Sequence, residues 1–126
     1  MDLVIPFREG SYWVERAFLA APDDRAAEVE EAVLDVYLDP RGNRRMNGRG
    51  FVRNVLVVEI LEDHDELDLL LDLGPQFRYL LRAPRFQAGK VFEPATRSLL
   101  RFAPTASPEP LSEREFAGLL ERLRVG

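Results

Sequence analysis

From Ser112 onward the chain reads "SEREFAGLLERLR", in which Phe116, Leu119, Leu120 and Leu123 recur at i, i+3, i+4 and i+7. That spacing gathers them into one apolar stripe on a helix. Ser112 with Glu115 three residues on forms a capping box for the free amides of the first turn, and Arg122 and Arg124 suit the negative end of the dipole. An amphipathic helix is therefore predicted here, after a Pro/Ser-rich linker at 103–111. A second helix is predicted over 22–38. Pro22, Asp23 and Asp24 resemble a start signal, Val29, Ala32, Val33 and Val36 keep helical spacing, and Glu28, Glu31 and Asp35 form the outer face. Its last part, "AVLDVYLD", fits a strand equally well. In "EDHDELDLLLDLGP", Leu67, Leu69, Leu71 and Leu73 alternate as in a strand. Asp63 with Glu66 at one end and Gly74-Pro75 at the other favour a short helix over 63–73.

The remaining patterned segments suggest strands. "YWVERAFLA" and "FVRNVLVVEIL" are rich in aromatic and β-branched residues, and "QFRYLL", "GKVFE" and "RSLLRF" follow. In "QFRYLL", Phe77, Tyr79 and Leu81 alternate with Arg78, Leu80 and Arg82, a half-buried antiparallel pattern. The order strand, helix, strand, short helix, strands, helix predicts an α+β fold. It would be a two-layer sandwich, a mainly antiparallel sheet with two to three helices on one face, with ferredoxin-like as the nearest named arrangement. At 126 residues the chain is the size of one domain, 1–126.

Composition narrows the chemistry. There is no cysteine, so disulfides, thiolate catalysis and cysteine-based metal centres are excluded. "MDLVIPFREGSY" fits neither a signal peptide nor a membrane span, so a cytoplasmic, membrane-free protein is expected. The net charge is −5, but it is segmented. Residues 1–40 carry −7, 41–61 carry +4, 62–74 carry −6, 75–101 carry +5 and 102–126 carry −1. Either the acidic and basic segments meet, within one copy or between copies, or the basic segments converge on an anion site.

The densest basic segment is "DPRGNRRMNGRGFVR", with turn signals at Asp39-Pro40-Arg41-Gly42 and Asn47-Gly48. Read as a loop from Pro40 to Gly50, it places Arg41, Arg44, Arg45 and Arg49, with Arg53 beyond, where guanidinium forks pair with phosphate oxygens. A solvated hairpin tip is the competing reading. "GNRRMNGRG" lacks the spacing and the Lys-Ser/Thr of a P-loop, and Gly48-Arg49-Gly50 lacks the third glycine of a dinucleotide fingerprint. In "QFRYLLRAPRF", Arg78, Arg82 and Arg85 alternate with Phe77, Tyr79 and Phe86, the mixture of a nucleic-acid surface, although core packing is the commoner role for such aromatics. His64, the sole histidine, lies between Asp63 and Asp65, but adjacent side chains diverge and further metal ligands are not identifiable. Ser11, Ser98, Ser107 and Ser112 lie outside any nucleophile elbow, and no acid pair sits in an apolar setting.

No catalytic grouping, metal or cofactor is thus implied, and an enzyme is the third-ranked reading. The leading expectation is a non-enzymatic accessory or regulatory domain acting through protein association as a homodimer. The alternative is binding of RNA, single-stranded DNA or another polyanion by Arg41, Arg44, Arg45, Arg49 and Arg53, helped by Arg78, Arg82 and Arg85.

Overall fold

The computed structural model describes residues 3–53, 66–88 and 97–125. Eleven strands and one helix are described, and the strands divide between two sheets. In chain order they are β1 (Gly10–Trp13), β2 (Arg16–Ala20), β3 (Arg25–Glu28), β4 (Glu30–Leu38), β5 (Arg44–Arg53), β6 (Asp68–Asp72), β7 (Arg78–Leu81), β8 (Arg85–Ala88), β9 (Arg97–Ala103), β10 (Glu109–Leu111), α1 (Glu113–Arg122) and β11 (Arg124–Val125). One sheet has the order β1-β4-β5-β9-β8, all neighbours antiparallel. The other runs β10-β7-β6-β2-β3-β11, antiparallel except for the last pair.

The two sheets pack face to face. Ala17, Leu19, Leu69, Leu71, Tyr79 and Leu81 of the six-stranded sheet share one apolar cluster with Ala32, Leu34, Val36, Met46, Val52, Leu100 and Phe102 of the five-stranded sheet. This is a β-sandwich core, not the two-layer α+β sandwich predicted, and the ferredoxin-like arrangement with its several helices falls with it.

The predicted helix over 22–38 is instead β3 and β4, and a bulge explains the misleading spacing. Glu30 pairs with Phe51 and Val33 with Arg49, so β4 uses three residues where β5 uses two. Glu31 takes the extra place, with a left-handed φ of 53°. Inward positions therefore run Ala27, Val29, then Ala32, Leu34, Val36. The single step of three among steps of two imitates a helical stripe.

The predicted helix over 63–73 is also corrected, because its described part contains β6. Leu69 and Leu71 enter the core, whereas Leu70 joins Leu80 and Phe116 in a second cluster on the outer face. Helix α1 covers that face, so both sides of the strand are buried and its centre, Leu69–Leu71, is apolar on consecutive residues. Residues 63–65, most of "FVRNVLVVEIL" and the predicted strand "GKVFE" lie outside the described residues. "YWVERAFLA" is two strands, one in each sheet, with the crossing at Val14 and Glu15.

Helix α1 is found where the pattern placed it. Ser112 Oγ accepts from the Glu115 amide at 3.0 Å and Glu115 Oε1 accepts from the Ser112 amide at 3.1 Å. The Ser112 amide, and after it the Ser112 hydroxyl, hold the Glu115 carboxyl below its ordinary pKa. The preceding linker is not wholly irregular, since its end forms β10 against β7.

Glycines on the inward positions of β5 leave room for neighbours. A Cβ at Gly48 would enter the Phe102 ring, and one at Gly50 would lie 2.5 Å from Val29 Cγ1, 3.1 Å from Glu30 O and 3.3 Å from Ala32 Cα, the last two being backbone of the bulge. A flexible ring can shift, but bulge backbone cannot do so cheaply. Gly50→Ala is expected to cost about 1–3 kcal/mol through overpacking. Urea denaturation checks this, and an unchanged midpoint would show that the bulge yields.

Candidate functional site

The two outer faces of the sandwich differ. That of the six-stranded sheet lies under α1. That of the five-stranded sheet carries no described element, and its arginines stand in register. Side chains alternate along β5, so Met46, Gly48, Gly50 and Val52 are buried while Arg45, Asn47, Arg49 and Arg53 are exposed on the other face. Cross-strand partners share a face, which brings Arg97 and Arg101 of β9 and Arg85 of β8 to the same side.

Two arginine pairs face each other directly: Arg49 opposite Arg101, and Arg53 opposite Arg97. Like charges at opposed positions have Cβ atoms about 5 Å apart and destabilise a sheet. Acids relieve part of this. Asp35 on β4 accepts from Ser11 Oγ at 2.6 Å and pairs with Arg49, and the serine bond followed by the arginine holds its carboxyl below its ordinary pKa. Arg97 lies 3.6 Å from Glu30 and 3.8 Å from Glu31, with its guanidinium 4.9 Å over the Phe51 ring. Arg45 pairs with Asp39 at 2.9 Å, where amides of the turn, Asn43 foremost, lower the Asp39 pKa. Among the described residues Arg53, Arg85 and Arg101 have no acidic partner.

The arrangement leaves a shallow depression of about 480 Å³. Two adjacent rows of side chains form it: Arg49, Arg101 and Gln87 in one, Asn47, Ala103 and Arg85 in the other. Ala103 is the small member, so three guanidinium groups and two amides surround a low centre. Donors of this number and kind suit phosphate or carboxylate oxygens.

The anion-binding residues predicted from sequence divide. Arg45, Arg49, Arg53 and Arg85 reach this face, Arg45 already bound to Asp39. Arg41 sits in the turn between β4 and β5, and Arg44 turns to the other side, donating to Ile5 O at 3.2 Å. The arginine-rich loop is corrected as well: only the turn around Asp39–Asn43 is loop, and Arg44–Arg53 is the strand β5. Arg78 belongs to the other sheet and Arg82 directly follows its strand β7, Arg78 3.6 Å from Asp72 and Arg82 2.7 Å from Glu109. Sequence reading missed Arg97 and Arg101. Their i, i+4 alternation with the inward Leu100 and Phe102 in "RSLLRFA" was the available signal.

The predicted core role of Tyr79 holds, since it is buried and burial raises its pKa, while Phe77 is exposed. His64 lies outside the described residues. Among the described residues no group of three or more His, Asp or Glu could hold a metal ion, and no helix is long and apolar enough to cross a membrane. Comparison with family models, curated proteins and solved structures returns no match to this chain.

Proposed function

We propose that the protein is a binding domain whose open five-stranded face takes a polyanion. The observation that carries this reading is the register of β5 with β9, which sets Arg49 against Arg101 and Arg53 against Arg97 although that spacing costs stability. Cross-strand acids account for Arg49 and Arg97 but not for Arg53, Arg85 and Arg101, and an anionic ligand turns the remaining repulsion into attraction. The overall charge of −5 opposes long-range capture of such a ligand. At physiological salt, however, charges beyond about 8 Å are largely screened, so the local cluster governs contact.

Protein association remains the second reading, favoured by the exposed Trp13 and Phe77, which line a cleft with Phe7, Tyr12 and Leu73 along β1, the last strand of its sheet among the described residues. The charge argument for a dimer between acidic helices and basic loops is weaker than the sequence implied. Asp35 and Glu31 lie on a strand, and both pair with arginines of their own sheet.

Fluorescence anisotropy with a labelled polyanion across a salt series tests the proposal. Single-strand binding loses about 0.7 in the slope of log K against log salt for each phosphate contact. Replacing Arg85 and Arg101 with alanine should therefore lower the slope by about 1.4. Arg41→Ala, at the turn, should leave it unchanged. Equal slopes for the parent and the double variant would remove the sheet face from the site.

A further inference from the structure

We infer that the polyanion is a single-stranded nucleic acid lying across the strands, its phosphates on Arg101 and Arg49 and a base stacked on Trp13. This rests on the polyanion reading and adds to it the ligand class and a stacking residue.

The register places these groups on one line. Trp13 pairs with Val33, Val33 with Arg49, Arg49 with Arg101, and Arg101 with Gln87. A single row thus crosses all five strands. With neighbouring strands 4.7–4.9 Å apart, the row is about 19 Å long, and Trp13 is about 14 Å from Arg101. Cations fill the β5 and β9 positions and an aromatic ring fills the far end.

Trp13 is 74% exposed. An indole left in water on a strand costs free energy that burial would recover, and Trp13 instead ends the charged row above the cleft formed with Phe77 and Tyr12. Simple polyanions such as polyphosphate use the arginines and have nothing to place against an indole. An unpaired base has both a charged backbone and a flat apolar face, and base-aromatic stacking tolerates any sequence. A duplex keeps its bases inside the stack, out of reach of a side chain on a flat sheet. Single-stranded ligands alone match both ends of the row.

Trp13 is the sole tryptophan, so its emission reports directly on this site. The test titrates the intact protein with a uridine oligomer, a thymidine oligomer, a duplex of equal length and inorganic polyphosphate, following emission and anisotropy together. Both single strands should quench Trp13, while polyphosphate and duplex should leave its emission unchanged. Trp13→Ala should weaken oligomer binding about tenfold and polyphosphate binding not at all. Trp13→Phe should restore most of the loss, which separates stacking from a folding defect. Equal binding of all four ligands without quenching would overturn the stacking assignment and leave the polyanion reading standing. Binding of none of them would overturn both.

Discussion

Phe116→Ala is expected to lower the unfolding free energy by about 3–5 kcal/mol, the range for emptying a buried phenylalanine site. Phe116 is 1% exposed and is the only residue of α1 buried to this degree. It packs on Leu70 and Leu80, with Phe18, Leu111, Leu119, Leu120 and Leu123 around it. A domain of ordinary stability has about 5–15 kcal/mol to lose. The loss should be uneven, because ten residues of helix are marginal without tertiary contacts. Hydrogen exchange should show Glu113–Arg122 losing protection before the strands of the sandwich. Parental protection in the helix would mean that Leu119, Leu120 and Leu123 hold it unaided.

Asp72→Ala is expected to cost about as much, ~3–5 kcal/mol, by a different mechanism. Asp72 is 3% exposed, the sole buried charged side chain among the described residues. Its Oδ2 accepts from Arg16 Nη2 at 2.9 Å, its Oδ1 accepts from the Gly74 amide at 2.9 Å, and Arg78 lies 3.6 Å away. Removing the acid strands Arg78, whose side chain is only 15% exposed, and leaves the Gly74 amide without its acceptor. Arg16 is about half exposed and can turn to water. Asp72→Asn keeps an acceptor for Gly74 and should lose less, so urea midpoints for both variants separate charge from hydrogen bond. Equal losses would assign the whole effect to the charge. Both guanidinium groups also lie over the Phe116 ring, at 5.5 and 5.9 Å. The Phe116 and Asp72 substitutions should therefore not add in the double variant.

What could be read from the sequence follows from how local each signal was. Helix α1 has its cap, stripe and terminal charges within thirteen residues, and it was legible. The strand "RSLLRF" was legible from its alternation. The run 67–73 was not, because the helix that buries its outer leucine lies more than forty residues further along the chain. Segmental charge was visible, and its meaning was not. Asp35 meets Arg49 and Glu30 meets Arg97 through strand pairing that composition does not encode. The site was half legible for the same reason. Arg45, Arg49 and Arg53 announce a face by their own spacing, but Arg101 joins it only through the register of β9 on β5.

The bulge at Glu31 carries a consequence for how this chain can vary. Glu31 behaves as an inserted residue: take it out, and Glu30 still faces Phe51 while Ala32 and Val29 still point inward, so no core position changes hands. What would change is the backbone above Gly50, while Val29, whose Cγ1 lies 2.5 Å from a Cβ built there, would still fill part of that space. Positions 29, 31 and 50 are thus a set that should vary together. A shorter chain lacking residue 31 can carry a side chain at 50 only with a smaller residue at 29, and it surrenders one of the two acids that temper Arg97.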